Sequence, residues 1–319
     1  MAAQVLTVGM TYRDLIITGL EAMPHPGEES YGSAFTETWG GIANMTRVCQ
    51  GLGMRTALAT AVGDDDASDR LLSDMAGMGV DTSLCQRHPG WQLPVTVALS
   101  LPHDRAMVTV EQPPPAGVAA HLDDALFSAD AIIVDMRDPA LAWLSAARQR
   151  GATVFASRGF DPSGNWGTEA LAELGTCDVW MLNDLEAMAF TGQGDALSAA
   201  RSLTSHAPTV VVTQGARGMV GVDLVTGEEA TVAAFPVTPR STTGAGDSTL
   251  AALVFASRIH GLALRDRLDV AAFIASAILE RPAGAADPPS VAELVTCAAA
   301  STDERQARVA ELLSDGVTP

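Results

Sequence analysis

Positive charge is scarce in this chain, whose 319 residues include 19 Lys+Arg against 38 Asp+Glu, for a formal net charge of −19 at pH 7. Sequence-independent binding to nucleic acid or to an anionic membrane needs a positively charged surface, so this balance argues against both partners. Any anionic substrate must be held by local hydrogen-bond donors, against the field of the whole protein. The acidic surface favours solubility.

Closely spaced cysteines and long apolar runs are also missing. Cys49, Cys85, Cys177 and Cys297 lie far apart without a Cys-x-x-Cys pair, so their spacing fits neither a zinc site nor a disulfide framework. No apolar run has the length of a membrane span, and the first residues show no basic segment followed by an apolar core. We therefore expect a cytoplasmic protein with reduced thiols and no membrane segment.

Short apolar runs alternate with helical patterns along most of the chain. The runs lie at 5–8, 131–135, 153–156, 179–182 and 209–213, and helices are expected near 45–52, 71–78, 139–150, 167–175, 184–191, 196–205, 268–281 and 302–313. Such strands predict the α/β class, a doubly wound, mostly parallel sheet with helices on both faces. No internal repeat or low-complexity linker is visible, so residues 1–319 are expected to form one domain.

One stretch follows a different pattern. Between 93 and 110, apolar and polar residues alternate on both sides of a turn at Pro102, which is typical of an antiparallel hairpin. Together with strands expected between 12 and 38, the segment 91–113 is predicted to form a small antiparallel sheet. Such a sheet would project from the main body and suits the role of a lid.

Polar side chains follow several of the predicted strands at the points where those strands end. They are Asp14, Asp135 with Arg137, Asn183 with Glu186, and Thr213. Ligands of a parallel sheet bind beyond the carboxyl ends of its strands, so these groups are expected to converge on one edge. For Arg137 the alternative is an ion pair with Asp135 or Asp138, and the sequence leaves both possibilities open.

The stretch from Thr242 to Asp247 is a turn of small residues that opens a helix. Gly244 and Gly246 allow backbone conformations that other residues avoid, and the unpaired N–H groups at a helix start form a site for an anion such as phosphate. Asp247 has two interpretations. It is either the N-cap of this helix, or a base beside the anion site that takes a proton from a hydroxyl attacking phosphorus.

An acidic cluster precedes the helix expected near 71–78. Asp64, Asp65 and Asp66 stand together, which is one sign of a metal site. Acids are also favoured at helix N-termini, and we prefer this capping interpretation.

In this order, the motifs resemble those of the ribokinase family of sugar and nucleoside kinases, also called the phosphofructokinase B family. The resemblance spans nearly the whole chain. It is carried by Gly9 with Asp14, Gly40-Gly41 with Asn44 and Leu52-Gly53, Val62-Gly63-Asp64-Asp65, Asn183-Asp184-Leu185-Glu186, Thr213-Gln214-Gly215 with Gly218, and Thr242-Thr243-Gly244-Ala245-Gly246-Asp247. The last motif is the most specific signature of that family.

The resemblance implies a ribokinase-like fold that transfers the γ-phosphate of ATP to a primary hydroxyl of a small sugar or sugar derivative. By position, Asp247 would be the catalytic base, and Gly244, Ala245 and Gly246 would form the anion hole. Positions facing the sugar would be Asp14, Gly41 and Asn44. Nucleotide-binding positions would be Asn183, Thr213, Gly215 and Gly218, and Glu186 would position Mg²⁺ through water.

Three positions depart from the family pattern. Ser241 stands where an aspartate associated with the monovalent-cation site is usual, which places potassium activation in doubt. Trp39 takes the place of the first glycine before Asn44, and its ring is expected to reshape the sugar pocket. Ser68 replaces a glycine that is usual after the Gly-Asp-Asp motif, which is a mild change.

Within the family, the stretch from Val134 to Arg137 looks most like the branch that contains sulfofructose kinase. In that branch, the arginine that matches Arg137 helps to hold a sulfonate. The branch also uses a lysine and an asparagine, and the matching positions here are Glu28 and Thr109. An acid in place of the lysine argues against a sulfonated substrate.

Two other functions share these motifs. One is a nucleoside kinase, and the other is a regulator that binds a sugar on the same fold and has lost catalysis. Retention of Asp247 and Glu186 argues against the regulator, whereas the departures at Ser241 and Trp39 keep it open. The resemblance also implies a homodimer formed through the lid.

Overall fold

The structure is a computed structural model that describes residues 3–101, 105–118, 122, 129–135, 142–158, 174–240 and 244–315. Eight of its strands form the main sheet. The strands of the protein are β1 Val5–Val8, β2 Thr11–Thr18, β3 Ala34–Gly41, β4 Thr56–Ala59, β5 Ala61–Val62, β6 Gln86–Arg87, β7 Val95–Ser100, β8 Arg105–Val110, β9 Ala131–Asp135, β10 Thr153–Ser157, β11 Val179–Asn183, β12 Thr209–Thr213, β13 Met219–Asp223 and β14 Glu228–Val232. The helices are α1 Ile42–Gly51, α2 Asp66–Gly77, α3 Ala142–Gln149, α4 Asp184–Thr191, α5 Ala196–Leu203, α6 Ala245–Arg258, α7 Leu264–Glu280, α8 Val291–Ala299 and α9 Glu304–Asp315, with short 3-10 turns at Leu174–Thr176, Gly215–Arg217 and Gly284–Ala286.

The main sheet has the strand order β14-β13-β12-β11-β10-β9-β1-β4. Neighbours from β12 to β4 are parallel, whereas β13 and β14 are antiparallel additions at one edge. The predicted mostly parallel, doubly wound sheet is confirmed. The edge hairpin of β13 and β14 is a feature that the sequence prediction did not include.

Alternate residues of the parallel strands belong to two different hydrophobic cores. On one face, Ile133 and Phe155 pack with α1, α6 and α7, and on the other, Ile132 and Trp180 pack with α3, α4 and α5. All four side chains are at most 1% exposed. A strand that is buried on both faces must be apolar at every position, which explains why these runs show no alternation.

A second sheet, hereafter the small sheet, has the strand order β3-β2-β7-β8. β7 pairs antiparallel with β8, so the hairpin predicted between 93 and 110 is confirmed on both sides of its turn, which lies outside the described residues. β2 also pairs antiparallel with β3, but it runs parallel to β7, with Leu15 opposite Val97. The small sheet is therefore mixed rather than purely antiparallel, because the chain passes through α1 and α2 between β2 and β7 and returns in the same direction.

Two helix predictions need comment. Helix α8 was not predicted, although it begins with a capping box in which Ser290 and Glu293 bond each other's backbone N–H groups. That box was visible in the sequence as Ser-x-x-Glu. The helix predicted at 167–175 lies outside the described residues except for the 3-10 turn at its end.

The acidic cluster before α2 has the predicted capping role. Asp65 is the N-cap, and its Oδ1 accepts hydrogen bonds from the Ser68 N–H at 3.4 Å and from the Ser68 hydroxyl at 2.5 Å. The same hydroxyl accepts from the Gly63 N–H at 2.8 Å, so Ser68 contributes to the turn. Among the described residues, no helix combines the length and the apolar character needed to cross a membrane.

Candidate active site

Polar ends of the parallel strands meet along one edge of the main sheet. Asp135 ends β9, Asn183 ends β11 and Thr213 ends β12, and Asn183 lies opposite Thr213 in the register of their strands. Asp135 is only 9% exposed, whereas Asn183 is open to solvent. Arg137, a predicted substrate contact, lies outside the described residues.

Asn183 and Glu186 form a capping box at the start of α4. The side-chain oxygen of Asn183 accepts from the Glu186 N–H at 2.9 Å, and Glu186 Oε2 accepts from the Asn183 N–H at 3.0 Å. Burial raises the pKa of the Glu186 carboxyl, and the hydrogen bonds with Asn183 oppose that rise. The Asn-x-x-Glu motif therefore starts a helix and at the same time fixes both side chains at the sheet edge.

The loop that follows β12 is tied to the start of α4. The Gln214 N–H donates to the Gly218 carbonyl at 2.7 Å, which closes the turn between β12 and β13. Arg217 in this turn forms an ion pair with Asp184, the first residue of α4, at 2.5 Å. The two segments predicted to bind the nucleotide, after β11 and after β12, are thus neighbours in the fold.

Helix α6 begins after Gly244, which is its N-cap and has a left-handed backbone with φ 77° and ψ 9°. Asp247 is the third residue of the helix, so it is not the N-cap, and the first of its two interpretations is excluded. The N–H groups of Ala245 and Gly246 belong to the first turn, where a helix offers them no carbonyl acceptor. This turn can therefore bind an anion beside the Asp247 carboxylate.

The Asp247 carboxylate is held by Asn44 of helix α1. Asn44 Nδ2 donates to Asp247 Oδ2 at 3.0 Å, and Asn44 is 6% exposed. Strand β3 passes directly into α1 at Gly41, which has a φ of 61° and sits so close to the Met10 carbonyl that a Cβ atom would overlap it. This sharp junction brings the first turn of α1 against the first turn of α6.

Asp14 is buried on β2, next to Gly40 of the adjacent strand β3. A Cβ atom on Gly40 would overlap the Asp14 carboxylate, so glycine is required for this close approach. Burial and, to a lesser extent, the nearby charge of Asp247 raise the pKa of Asp14 to about 7, while Arg47 acts in the opposite direction. Asp14 is therefore partly protonated at neutral pH.

Arg47 is a site residue that the motifs did not reveal. It is 5% exposed on helix α1, and its Nη2 donates to Asn44 Oδ1 at 2.8 Å. Burial lowers the pKa of this guanidinium to about 10, so it is still charged at neutral pH. The signal was its position three residues after Asn44, which places both side chains on the same face of the helix.

The Trp39 ring is buried in the hydrophobic core. It is 5% exposed, and its Nε1 donates to Asp74 Oδ2 of helix α2 at 2.8 Å. The indole thus anchors β3 to α2, and its bulk is absorbed by the core.

A cavity of about 230 Å³ opens at the carboxyl ends of β1 and β9, under the segment that leaves the small sheet. It is lined by Gly9, Met10, Glu111, Pro113, Pro114, Gly117, Val118 and Asp135. The Tyr12 hydroxyl donates to Glu111 Oε2 at 3.0 Å. Apolar walls with two carboxylates form a setting in which hydroxyl groups of a ligand could donate hydrogen bonds.

Solved kinase structures share this fold. A ribokinase of Arabidopsis thaliana complexed with ribose and ATP has a TM-score of 0.75 at 20% identity, covering 98% of this chain and 99% of that one. A nucleoside kinase of Methanocaldococcus jannaschii has 0.71 at 17% identity, with 98% and 99% covered. A ribokinase of Cryptococcus neoformans in complex with ADP has 0.72 at 20% identity, with 92% and 98% covered. At these identities the likeness establishes the ribokinase-like fold alone.

The family follows from a sequence match that covers most of the chain. Residues 2–290 match the pfkB family of carbohydrate kinases. Neither this match nor the structural neighbours named above single out the sulfofructose kinase branch. The chain is a phosphotransferase, and it belongs to the pfkB family of carbohydrate kinases.

Proposed function

We propose that this kinase transfers the γ-phosphate of ATP to a primary hydroxyl of a small, polyhydroxylated sugar or sugar derivative, with Asp247 as the catalytic base. One observation carries the proposal. The Asp247 carboxylate lies in the first turn of α6, beside the N–H groups of Ala245 and Gly246, and Asn44 holds it there. A base and an anion site are thus next to each other.

In this mechanism, Asp247 accepts the proton of the sugar hydroxyl as the bond from oxygen to phosphorus forms and the bond to ADP breaks. The first-turn N–H groups that follow Gly244 meet the negative charge of the transferred phosphoryl group without having to reorganise. Phosphoryl transfer depends mainly on such positioning and charge stabilisation. The left-handed Gly244 is needed because the chain must turn sharply into α6 just where the phosphate is expected.

Backbone donors matter all the more because the chain contains no lysine, and all 19 Lys+Arg positions are arginine. No lysine ammonium is therefore present to contact the phosphates. Their charge must be met by helix N–H groups, by arginine and by a metal ion. This agrees with the acidic character of the protein, in which local donors have to hold an anion against the overall field.

Mg²⁺ fits the donors that are present. It typically keeps several waters and binds one or two carboxylates together with substrate phosphates. The described residues contain no cluster of three His, Cys, Asp or Glu side chains that would form an all-protein cage, whereas Glu186 offers one half-buried carboxylate at the sheet edge. Glu186 would hold the ion through water, and the ion would neutralise phosphate charge.

For the nucleotide, we assign the two neighbouring segments after β11 and β12. The proposed contacts are Asn183, Thr213, Gly215 and Gly218. Support comes from the strand register that pairs Asn183 with Thr213 and from the ion pair between Arg217 and Asp184, which links the segments. ATP binds there in our proposal, with its phosphates directed to the start of α6.

For the sugar, we assign Asp14, Gly41 and Asn44, with Arg137 as a further candidate. Carboxylates accept hydrogen bonds from hydroxyl groups, and two more of them, Asp135 and Glu111, line the adjacent cavity. Glu28, which stands where the sulfofructose kinase branch has lysine, is exposed and accepts from the His25 N–H at 3.1 Å. A neutral sugar fits these groups better than a sulfonated one.

The small sheet is proposed to act as a lid and as a homodimer interface. Its strands leave large apolar side chains in solvent, among them Phe35 at 62%, Val108 at 61% and Val110 at 70% exposure. Exposed apolar side chains grouped on one sheet are typical of an interaction surface. Analytical ultracentrifugation of Val108→Asp should give monomers, while Val225→Asp, at an even more exposed apolar position in the turn after β13, should stay dimeric. A monomeric wild type contradicts the interface.

The proposed function is tested by ADP formation with ATP, Mg²⁺ and a panel of sugars and nucleosides. Turnover of one or more sugars supports the proposal. Turnover restricted to nucleosides would select the nucleoside kinase instead. If a sugar raises the melting temperature but none is turned over, the chain is a binding protein on a kinase fold.

A further inference from the structure

The Arg47 guanidinium, on helix α1, donates hydrogen bonds both to strand β3 and to its own helix. Its Nη1 and Nη2 donate to Thr38 Oγ1 at 3.1 and 3.2 Å, and Nη2 also donates to the Trp39 carbonyl and to Asn44 Oδ1. The planar guanidinium and its fixed donors suit such a fork of acceptors better than an ammonium would. Its position is therefore defined by both elements that meet at Gly41.

The orientation of the Asn44 amide follows from its two partners. Arginine can only donate hydrogen bonds, and an ionised carboxylate can only accept them. The amide oxygen of Asn44 must therefore face Arg47, and the amide nitrogen must face Asp247. Without Arg47, the amide oxygen loses its donor, and only the bond to Asp247 is left to define the orientation of the amide.

Arg47 also supplies positive charge near three acids, of which Asp14 is buried, Asp247 is half-buried and Asp74 is exposed. The carboxylates that raise its pKa are Asp14, Asp74 and Asp247, and Asp74 is already bonded to Trp39. Asp14 and Asp247 are close enough for each to disfavour the charge of the other. A cation beside both of them favours the ionised forms.

We propose that Arg47 is a positioning residue for phosphoryl transfer, which turns the Asn44 amide toward Asp247 and places a positive charge near the carboxyl groups of Asp14 and Asp247. The proposal rests on the proposed function of Asp247 as the base. It goes beyond the motif residues named above, because Arg47 is not one of them. Arg47 touches neither substrate nor phosphate in this proposal, and it acts through Asn44 and through charge.

The alternative is that Arg47 only stabilises the junction of β3 and α1. Removing a buried arginine that lies near acids and bonds several acceptors lowers stability in either case. Arg267 provides the matched control, because it is a mostly buried arginine on α7 that donates to the buried Asp223 at 2.9 Å. Arg267→Met should lower the melting temperature without changing kinetics, as a purely structural arginine would.

The kinetic test compares Arg47→Met and Arg47→Lys with Arg267→Met. We expect Arg47→Met to lower kcat at least about tenfold and to move the acid limb of kcat/KM upward by about one pH unit, because a positive charge is lost beside the carboxylates. Arg47→Lys should keep the acid limb of wild type but recover only part of kcat, because an ammonium lacks the fork. If Arg47→Met does not fold, Arg47→Gln, which keeps amide donors without the charge, takes its place.

A second measurement needs no turnover. The Asp14 carboxyl can be followed by ¹³C NMR against pH, with its signal identified by comparison with Asp14→Asn. The midpoint should rise by about one unit in Arg47→Met and stay within a few tenths in Arg267→Met. An unmoved midpoint, or a kcat of folded Arg47→Met within about twofold of wild type, overturns the proposal. If wild type turns over no substrate, the proposed function fails, and the NMR midpoint alone decides whether Arg47 controls the charge of Asp14.

Discussion

Asn44 and Asp247 are separated by 203 residues in the sequence, yet the Asn44 amide donates to the Asp247 carboxylate at 3.0 Å. The bond joins the first turns of α1 and α6, the helices whose N-caps are Gly41 and Gly244. The bond thus fixes the proposed base relative to the proposed phosphate site, and it can be tested from both ends.

Asp247→Asn should retain the fold and ATP binding while kcat falls by a factor of at least about a hundred, the scale of losing a general base. Asparagine is nearly isosteric with aspartate, so α6 should be preserved. The measurement is ADP formation, with an ATP-dependent rise in melting temperature as the control for binding. Turnover close to wild type in this variant would exclude Asp247 as the base.

Asn44→Leu should lower kcat by about ten- to a hundredfold, because the Asp247 carboxylate loses its fixed donor and Arg47 loses an acceptor. If the amide acts through Asp247, the two mutations cannot be additive. The double variant with Asp247→Asn should then be hardly less active than Asp247→Asn alone. If the two reductions in kcat multiply in the double variant, Asn44 contributes to catalysis independently of Asp247, through the sugar.

Local patterns in the sequence were sufficient to predict most of the fold. Unbroken apolar runs gave the parallel strands, because burial on both faces leaves no polar position. The edge hairpin of β13 and β14 was not predicted, since β13 reads like another buried strand and Glu228 and Glu229 weaken the pattern of β14. The exact start of α6 was also ambiguous, because an acid in a first turn looks the same as an N-cap in a one-dimensional pattern.

The candidate site was predicted only as a set of residues. Asn44, Asp14 and Asp247 came from motifs, but their mutual distances depend on the packing of α1 against α6 and on the backbone at Gly41. Arg47 was missed because a single arginine in a helix is usually exposed, and burial of its charge becomes apparent only when the surrounding acids are known. Long-range electrostatics of this kind leaves no periodic trace in a sequence.

Gly40→Ala should reduce kcat/KM for the sugar by about tenfold or more, because the new methyl group would displace the Asp14 carboxylate from its position. Gly77→Ala at the end of α2 is the matched control. A Cβ atom there meets no other atom within 4 Å, and alanine is the better helix former. Steady-state kinetics should therefore separate the two variants, and equal sugar kinetics would show that Asp14 does not contact the sugar.

Potassium should activate this kinase only weakly. Ser241, which lies outside the described residues, carries no charge with which to replace the aspartate associated with the cation site in related kinases. The check is ADP formation at constant ionic strength in potassium, sodium and tetramethylammonium chloride. A strong requirement for potassium would mean that serine is an adequate substitute.

Asp14→Asn should make the protein more stable than wild type as the pH rises, and it should weaken sugar binding. The pKa of Asp14 is about 7 in the folded protein and 3.8 as a free side chain, so the folded state holds this proton more tightly than the unfolded state. Its contribution to stability is then fully present below pH 4 and is lost as the pH rises through 7. Asparagine cannot titrate, so the variant should gain about 2.5 kcal/mol of unfolding free energy relative to wild type between pH 5 and pH 8. Urea unfolding of wild type and variant at both pH values measures this difference, because the other acids contribute equally to the stability of both proteins.

Sugar KM should rise in the same variant, since its amide accepts fewer hydrogen bonds than the carboxylate. A stability difference that does not change with pH would show that Asp14 is ionised normally in its buried position.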